Sequence, residues 1–317
     1  MTNAVTQRQN LKAVGLVSAG HFLSHFYMLL IPPLFPLLKD EFGVGFTELG
    51  LAIAVFSVVT GLTQAPIGFL VDRLGGRKIL LCGLLLESAA FICIGLFPSY
   101  RMLLAMMVVA GLANAVYHPA NYAILNASVP NTRMGQAFSI HTAAGMLGNA
   151  VAPITVVLLI SFTDWTTGII LCGITGGLLS ILIAANAGVL QDSLPQIKTN
   201  ETKNPQSGLR LLFSPPILLG ALFFLCIAVA GHGISAFGVS TLTVIHEISV
   251  TDAATILSAY LFASPIGVLC GGWIADRIRH HHLFAALCFI TIALVFFAIA
   301  GFPMQIEIIA FFKVLHN

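Results

Sequence analysis

Charged residues are scarce in this chain of 317 residues, since Asp, Glu, Lys and Arg together make up 8% of it, against about 25% in typical soluble domains. Hydrophobic residues make up 58%, and the mean hydropathy is +0.97. This balance excludes an ordinary soluble domain and indicates an integral membrane protein. The net charge is only +2 and the basic residues are scattered, so no nucleic-acid partner is expected.

Several functional signatures are also missing. The six cysteines all lie in apolar stretches and no CxxC pair occurs, so we interpret them as small packing residues. A phosphate-cradling glycine loop, a Walker signature and a nucleophile–base motif are absent from the sequence as well. The sequence therefore argues against an enzyme and against an ATP-driven pump, and we expect no cofactor.

Apolar runs long enough to cross a bilayer, which takes about 20 residues, recur along the chain. They lie near 12–36, 46–70, 78–97, 101–125, 136–161, 166–189, 215–240, 250–273 and 283–301, with an incomplete run at 303–315. The pattern predicts an all-α polytopic membrane protein of about nine to ten transmembrane helices. A polar stretch after the sixth run separates the predicted parts: an N-terminal segment (1–11), a six-helix half (12–189), a linker (190–214) and an incomplete second half (215–317).

The basic residues near the ends of these runs predict the orientation in the membrane. With a cytoplasmic N-terminus, the outer segments hold only Lys39 and Arg101. The inner segments then hold Arg8, Lys12, Arg73, Arg77, Lys78, Arg133, Lys198, Lys203, Arg210, Arg277 and Arg279. Because basic residues concentrate in cytoplasmic loops, we expect the N-terminus and the linker to be cytoplasmic.

Two short matches indicate that the second half repeats the first. "AGHFLSHF" (19–26) aligns with "AGHGISAF" (230–237), and "GFLVDRLGGRK" (68–78) aligns with "GWIADRIRHHH" (272–282). The matches occur in the same order and in corresponding loops, as an internal repeat requires. The first match pairs His21 with a histidine of the other half and leaves His25 without a counterpart.

The segment "GFLVDRLGGRKIL" resembles the G-x-x-x-D-R-x-G-R-[KR] signature of the major facilitator superfamily, and it lies between helices two and three, where that family carries it. The resemblance implies the major facilitator fold and a cytoplasmic gate formed by Gly68, Asp72, Arg73, Arg77 and Lys78, with a weaker second copy at Gly272, Asp276 and Arg277. Physically, a glycine at position 68 permits a close helix crossing. The alternative is a positively charged turn that only fixes topology.

A narrower resemblance is carried by "SHFYMLLIPPLFPLL" (24–38), "YHPANYAIL" (117–125) and "FSIHTAAGMLGNAVAP" (138–153). Together these segments are similar to the fosmidomycin-resistance branch of the superfamily, which consists of bacterial inner-membrane exporters. The resemblance implies a monomeric antiporter that couples protons to efflux of a small drug or metabolite, and so confers antibiotic resistance. The alternatives are proton-linked uptake of an organic solute and a non-transporting fragment, because the sequence stops before the family's last helices.

In this superfamily, helices one, four, seven and ten line a central cavity. The polar side chains on the corresponding helices here are our candidates for substrate binding or proton coupling: His21, His25, Tyr117, His118, Asn121, Tyr122 and His232. An imidazole can gain and lose a proton near neutral pH. The alternative is that these groups hold helices together by hydrogen bonds. Because His25 has no counterpart in the repeat, we predict that it is the more important member of the pair on the first helix.

Three further polar groups lie inside predicted spans: Glu87 on the third, and His141 and Asn149 on the fifth. Glu87 is a candidate for a second proton site, and an inter-helix hydrogen bond made by its carboxyl group is the alternative.

A metal or haem site is the rival class of site. His21 and His25 have the i, i+4 spacing that suits a metal ion, but no acidic or thiol ligand is adjacent in the sequence and no HExxH motif occurs. We therefore expect no metal site. A haem held between His25 and His118 is an alternative, and the His280–His282 run gives weak metal affinity at most.

Overall fold

The computed structural model describes residues 2–130, 133–191, 214–275 and 280–301. Within these ranges every regular element is helical, which confirms the predicted all-α class. The helices are α1 (Thr2–Met28), α2 (Phe35–Phe42), α3 (Phe46–Leu74), α4 (Gly76–Leu96), α5 (Tyr100–Asn114), α6 (Tyr117–Ser128), α7 (Met134–Phe162), α8 (Trp165–Ala185), α9 (Pro215–Ile245), α10 (Val250–Ala275) and α11 (His281–Gly301), with 3₁₀ turns at Pro32–Leu34 and Ala187–Val189.

Seven segments of the described chain are long and apolar enough to cross a membrane. They are Arg8–Phe42, Phe46–Leu74, Gly76–Leu96, Tyr100–Ser128, Met134–Phe162, Trp165–Ala185 and Pro215–Ile245, and they match the first seven predicted runs in order. Helices α10 and α11 cover the next two predicted runs. The incomplete run at 303–315 and most of the predicted linker lie outside the described residues.

The chain divides into two compact units, Met1–Phe262 and Ala263–Asn317. The first unit contains helices α1 to α9 and the beginning of α10. The contacts that form the candidate site all lie within this first unit. The boundary between a six-helix half and a second half at 190–214 stays a prediction.

Two membrane segments are interrupted, and in each case a proline explains the position of the interruption. A proline ring clashes with the carbonyl group of the residue four positions earlier and offers no N–H to it. Helix α1 ends at Met28, four residues before Pro32, and the turn between α5 and α6 begins at Ala115, four residues before Pro119. The single helix expected over 101–125 is therefore wrong in this detail. The break comes directly before Tyr117 and His118.

Helix α7 packs against α1 along a face made of small residues. A methyl group placed on Gly148 would lie 2.2 Å from the carbonyl oxygen of Phe22, so only glycine allows the two backbones to approach this closely. Small residues are typical of such contacts in membranes, where apolar burial does not drive helices together. This contact determines where the polar residues of α7 meet those of α1.

Tyr27 fixes α1 against α8 through its hydroxyl group. The hydroxyl donates to the carbonyl oxygen of Cys172 at 3.0 Å and accepts from the backbone N–H of Gly176 at 3.0 Å. The ring is fully buried and stacks on Phe91 of α4, with the ring centroids 4.7 Å apart. Helix α1 is thus held by polar and apolar contacts within one turn of its histidines.

Helix α9 contacts the segment that follows α1. The ring of Phe237 lies 5.7 Å from that of Phe35, and it also occupies the space above Gly50 of α3. The described contacts between α9 and the preceding helices are therefore apolar at this point.

We expect Gly148→Ala to destabilise the protein, because the added methyl group overlaps the backbone of α1 and overpacking of this kind costs about 1–3 kcal/mol. Thermal unfolding of the full chain in detergent measures the effect. Gly135→Ala is the matched control, since it lies on the same helix with no atom within 4 Å of an added methyl group. Equal unfolding temperatures for the two variants would contradict the described contact between α1 and α7.

Candidate functional site

Four histidines from three helices meet in one cluster, which we call the histidine cluster: His21 and His25 on α1, His118 on α6 and His141 on α7. His21 is at its centre. The centroid of its ring lies 4.0 Å from that of His141, 4.5 Å from that of His25 and 5.1 Å from that of His118. The rings of His21 and His141 are stacked, with an interplanar angle of 15°.

The cluster is buried, and several of its ring nitrogens have no hydrogen-bond partner among the described residues. His21 is 4% exposed and His141 is 1% exposed. The unpartnered atoms are Nδ1 of His21, His25 and His118, and both ring nitrogens of His141. Buried polar atoms are rarely left unpaired because the loss of hydration costs free energy. The arrangement is therefore typical of a site that takes protons or a ligand.

Gly145 of α7 allows the two histidines of α1 to reach this position. A methyl group at residue 145 would lie 2.6 Å from Nε2 of His21 and 3.0 Å from Cδ2 of His25. Any larger residue would push the rings away from α7. Asn149 lies one turn further along α7, and its side-chain oxygen has no hydrogen-bond partner among the described residues.

Three of the four histidines have the geometry of potential metal ligands. His21, His118 and His141 each offer one ring nitrogen, and these three atoms all lie within 4.8 Å of one another. Imidazole nitrogens are common ligands of transition metals.

A second polar group, next to the histidine cluster, is centred on Glu87 of α4. The Glu87 side chain is fully buried. Its carboxyl oxygens accept a hydrogen bond from the Tyr117 hydroxyl at 2.6 Å and one from the Asn114 amide at 3.2 Å. The Asn114 amide also donates to the carbonyl oxygen of Ser24 on α1, at 3.3 Å. The hydrogen bond between helices, which is the alternative interpretation of Glu87, is therefore present. A role of the carboxyl group in proton transfer is compatible with this bond.

An open cavity of about 460 Å³ reaches the histidine cluster from one side. Its walls come from α3 and α6, and they include Gln64, His118, Pro119 and Tyr122. Tyr122 is 41% exposed, and its ring contacts those of His118 and His141. A small molecule in this cavity would therefore have direct access to His118.

The family model of the Major Facilitator Superfamily matches residues 17–314. This chain belongs to that family of transporters. The predicted family, and the expectation of a transporter and not an enzyme, are confirmed.

The transporter is 24% identical to the fosmidomycin resistance protein of Escherichia coli (strain K12) over 280 residues, or 87% of this chain and 68% of that protein. It is 25% identical to the MFS-type transporter YfnC of Bacillus subtilis (strain 168) over 292 residues, or 88% of this chain and 69% of the relative.

A solved structure of a bacterial homolog of the human lysosomal transporter Spinster, inward-facing and unoccupied, matches with a TM-score of 0.70 and 18% identity. The match covers 86% of this chain and 63% of the solved chain. The chain thus spans less than two thirds of the length of that structure. The likeness supports the major facilitator fold.

The structure places the predicted gate of the transporter at the turn between α3 and α4. Asp72, Arg73 and Lys78 are exposed there, and Arg77 is half-buried. The close helix crossing expected at Gly68 stays a prediction; among the described residues a methyl group at that position would meet its nearest neighbour, Pro119, at 4.0 Å. A close contact is present at Gly76, where a methyl group would lie 2.9 Å from the carbonyl oxygen of Ala120.

The second copy of the gate motif contributes little to the described structure. Gly272 lies in α10, whereas Asp276 and Arg277 lie outside the described residues.

His232 of α9 does not join the histidine cluster. It is exposed, and its Nδ1 lies 3.0 Å from the carbonyl oxygen of Ala228 on its own helix. Asn121 of α6 is fully buried, and neither its amide nitrogen nor its oxygen has a partner among the described residues.

His141 belongs to the histidine cluster, although its position in the sequence sets it apart from the predicted cavity residues. The signal that could have placed it is the spacing of His141, Gly145, Gly148 and Asn149. These positions fall on one face of a helix, and the two glycines mark that face as the one that packs closely. Its partner could not be identified from the sequence, because no pattern pairs this face with α1.

We expect Tyr117→Phe to lower the free energy of unfolding by about 1–3 kcal/mol, since the buried Glu87 carboxyl group loses its shortest hydrogen bond. Unfolding of the full chain in detergent measures this. Tyr122→Phe on the same helix is the control, because its exposed ring should tolerate the change within about 0.5 kcal/mol. A loss of the same size in both variants would show that the Glu87 contact is not what stabilises α6.

Proposed function

We propose that this chain is a secondary transporter of the bacterial inner membrane that exports a small drug or metabolite in exchange for protons, by alternating access. The observation that carries the proposal is the histidine cluster, buried in the first six membrane segments and bordered by an open cavity. Histidine is the side chain whose ordinary charge change falls between pH 5 and 8. Ionisable groups at membrane depth are costly, and they commonly line substrate or proton pathways.

The interrupted helix between α5 and α6 supports a binding role for this region. Discontinuous helices commonly form the substrate site near the middle of a transporter. Here the interruption directly precedes Tyr117 and His118, which contact Glu87 and His21 respectively. One local feature therefore brings together the cavity wall, the histidine cluster and the buried carboxyl group.

The proposal also specifies the direction of transport, the substrate and the orientation of the chain in the membrane. Export is supported by the similarity to the fosmidomycin resistance protein of Escherichia coli, and we take fosmidomycin as the first substrate to test. A cytoplasmic N-terminus is supported by the basic residues of the α3–α4 turn, Arg73, Arg77 and Lys78. In this orientation the predicted gate faces the cytoplasm.

Membrane vesicles of opposite orientation test the direction and the coupling. With an acidic lumen, inside-out vesicles that contain the full chain should accumulate labelled fosmidomycin above vesicles without it, and dissipation of the pH gradient should remove the difference. Accumulation in right-side-out vesicles with an acidic exterior would support proton-linked uptake and overturn export. No gradient-dependent accumulation in either orientation would contradict proton-coupled transport of this compound.

We expect His21→Ala and His141→Ala to reduce gradient-driven accumulation to the level of vesicles without the protein, because each removes an imidazole from the centre of the cluster. His232→Ala is the matched control, since that exposed histidine lies outside the cluster. The variants should be compared at equal amounts of folded protein in the membrane. Full activity in both cluster variants would mean that the histidines serve only packing.

A further inference from the structure

We propose that His21, His118 and His141 form a binding site for one divalent transition-metal ion of intermediate softness, such as Zn²⁺ or Co²⁺. Three ligand nitrogens from three different helices converge within 4.8 Å of one another. The i, i+4 pair on α1 contributes only one of the three ligands, so the spacing of histidines in the sequence does not predict this site. The other two come from α6 and α7.

The distances are close to those that a bound ion requires. Zinc–nitrogen bonds of about 2.0–2.1 Å in a tetrahedral arrangement place the nitrogens about 3.3 Å apart. The three rings must therefore approach by about 1–1.5 Å at most, which rotation about side-chain bonds can supply. The stacked rings of His21 and His141 must tilt so that both nitrogens face one ion.

A second observation that points to a bound metal ion is the set of histidine ring nitrogens without a hydrogen-bond partner. Nδ1 of His21, Nδ1 of His118 and both nitrogens of His141 have no hydrogen-bond partner among the described residues. His21 and His141 are also more than nine-tenths buried. One ring nitrogen of each of these histidines would bind the metal ion, and neutral imidazole is a ligand that Zn²⁺ favours. Ca²⁺ and Mg²⁺ are disfavoured because they require oxygen ligands.

The open cavity gives a metal ion a path to the site and leaves room for a fourth ligand. His118 lines the cavity and also belongs to the trio. Three protein ligands leave one tetrahedral position open, which water or an anion can fill from the cavity.

The metal site uses the same imidazoles that the proposed function assigns to protons. A metal ion binds only deprotonated imidazole, so it competes with protons for the same nitrogens. We therefore expect Zn²⁺ to inhibit proton-coupled transport. Metal binding itself can be measured on the purified protein without any transport, so failure of one proposal leaves the other intact.

The His280–His282 run is a rival metal binder and must be controlled. The rings of His280 and His282 lie 6.0 Å apart, next to α11. A variant with alanine at 280, 281 and 282 removes this rival and leaves the trio unchanged. The affinity tag must likewise contain no histidine.

Calorimetric titration of the full chain with Zn²⁺, together with the visible absorption of added Co²⁺, tests the site. We expect one ion per chain and a tetrahedral Co²⁺ spectrum, both retained in the 280–282 variant. His118→Ala and His141→Ala should each weaken binding by at least about 100-fold, because even loss of an outer partner of a ligand costs about 10- to 100-fold. His232→Ala, at an exposed position outside the histidine cluster, should leave Zn²⁺ binding unchanged.

Thermal unfolding of each variant shows whether it is folded, and two independent ligand variants guard against the misfolding of one. No binding by the wild-type chain would overturn the proposal. Loss of binding in the 280–282 variant would also overturn the proposal. So would binding that is kept in both folded ligand variants, since in either case the ion would lie elsewhere.

Discussion

The site depends on how closely α7 approaches α1. In a membrane, apolar burial does not drive helices together, so close contact requires small residues that let backbones meet. Gly148 brings α7 against the backbone at Phe22, and Gly145 leaves room for His21 and His25. The stacking of His141 on His21 is the direct result of this contact. A change that separates the two helices would disperse the histidines without touching any of them.

The same geometry gives the proposed coupling a physical basis. The histidine cluster combines side chains from α1, α6 and α7, so a movement of one helix changes the distances between the imidazoles and, under the proposed function, their affinity for protons. Glu87 joins the arrangement through Tyr117 and Asn114. Alternating access requires a binding site whose properties differ between two states, and a cluster shared by several helices meets this requirement better than one carried by a single helix.

Much of the architecture follows from composition and local patterns. Apolar runs predict the helices, and prolines at 32 and 119 account for both interruptions. Helices α3 and α7 nevertheless continue through Pro66 and Pro153, so the positions of the prolines alone could not have located the break before Tyr117. The repeat favours His25 over His21, whereas the structure puts His21 at the centre. Neither the central position of His21 nor the position of His141 could be predicted from the sequence. Both depend on which helix faces meet, and that is a property of tertiary packing. The close contact at Gly76 has the same origin.

The central claim is that the buried histidines hold the protons that substrate displaces. Proton release can be measured directly by adding fosmidomycin to the purified full chain in weakly buffered detergent solution. We expect release from the wild-type protein and from the His232→Ala variant, and none from a folded variant that carries both His21→Ala and His141→Ala. Equal release from all three proteins would contradict it, because the protons would then come from groups outside the histidine cluster.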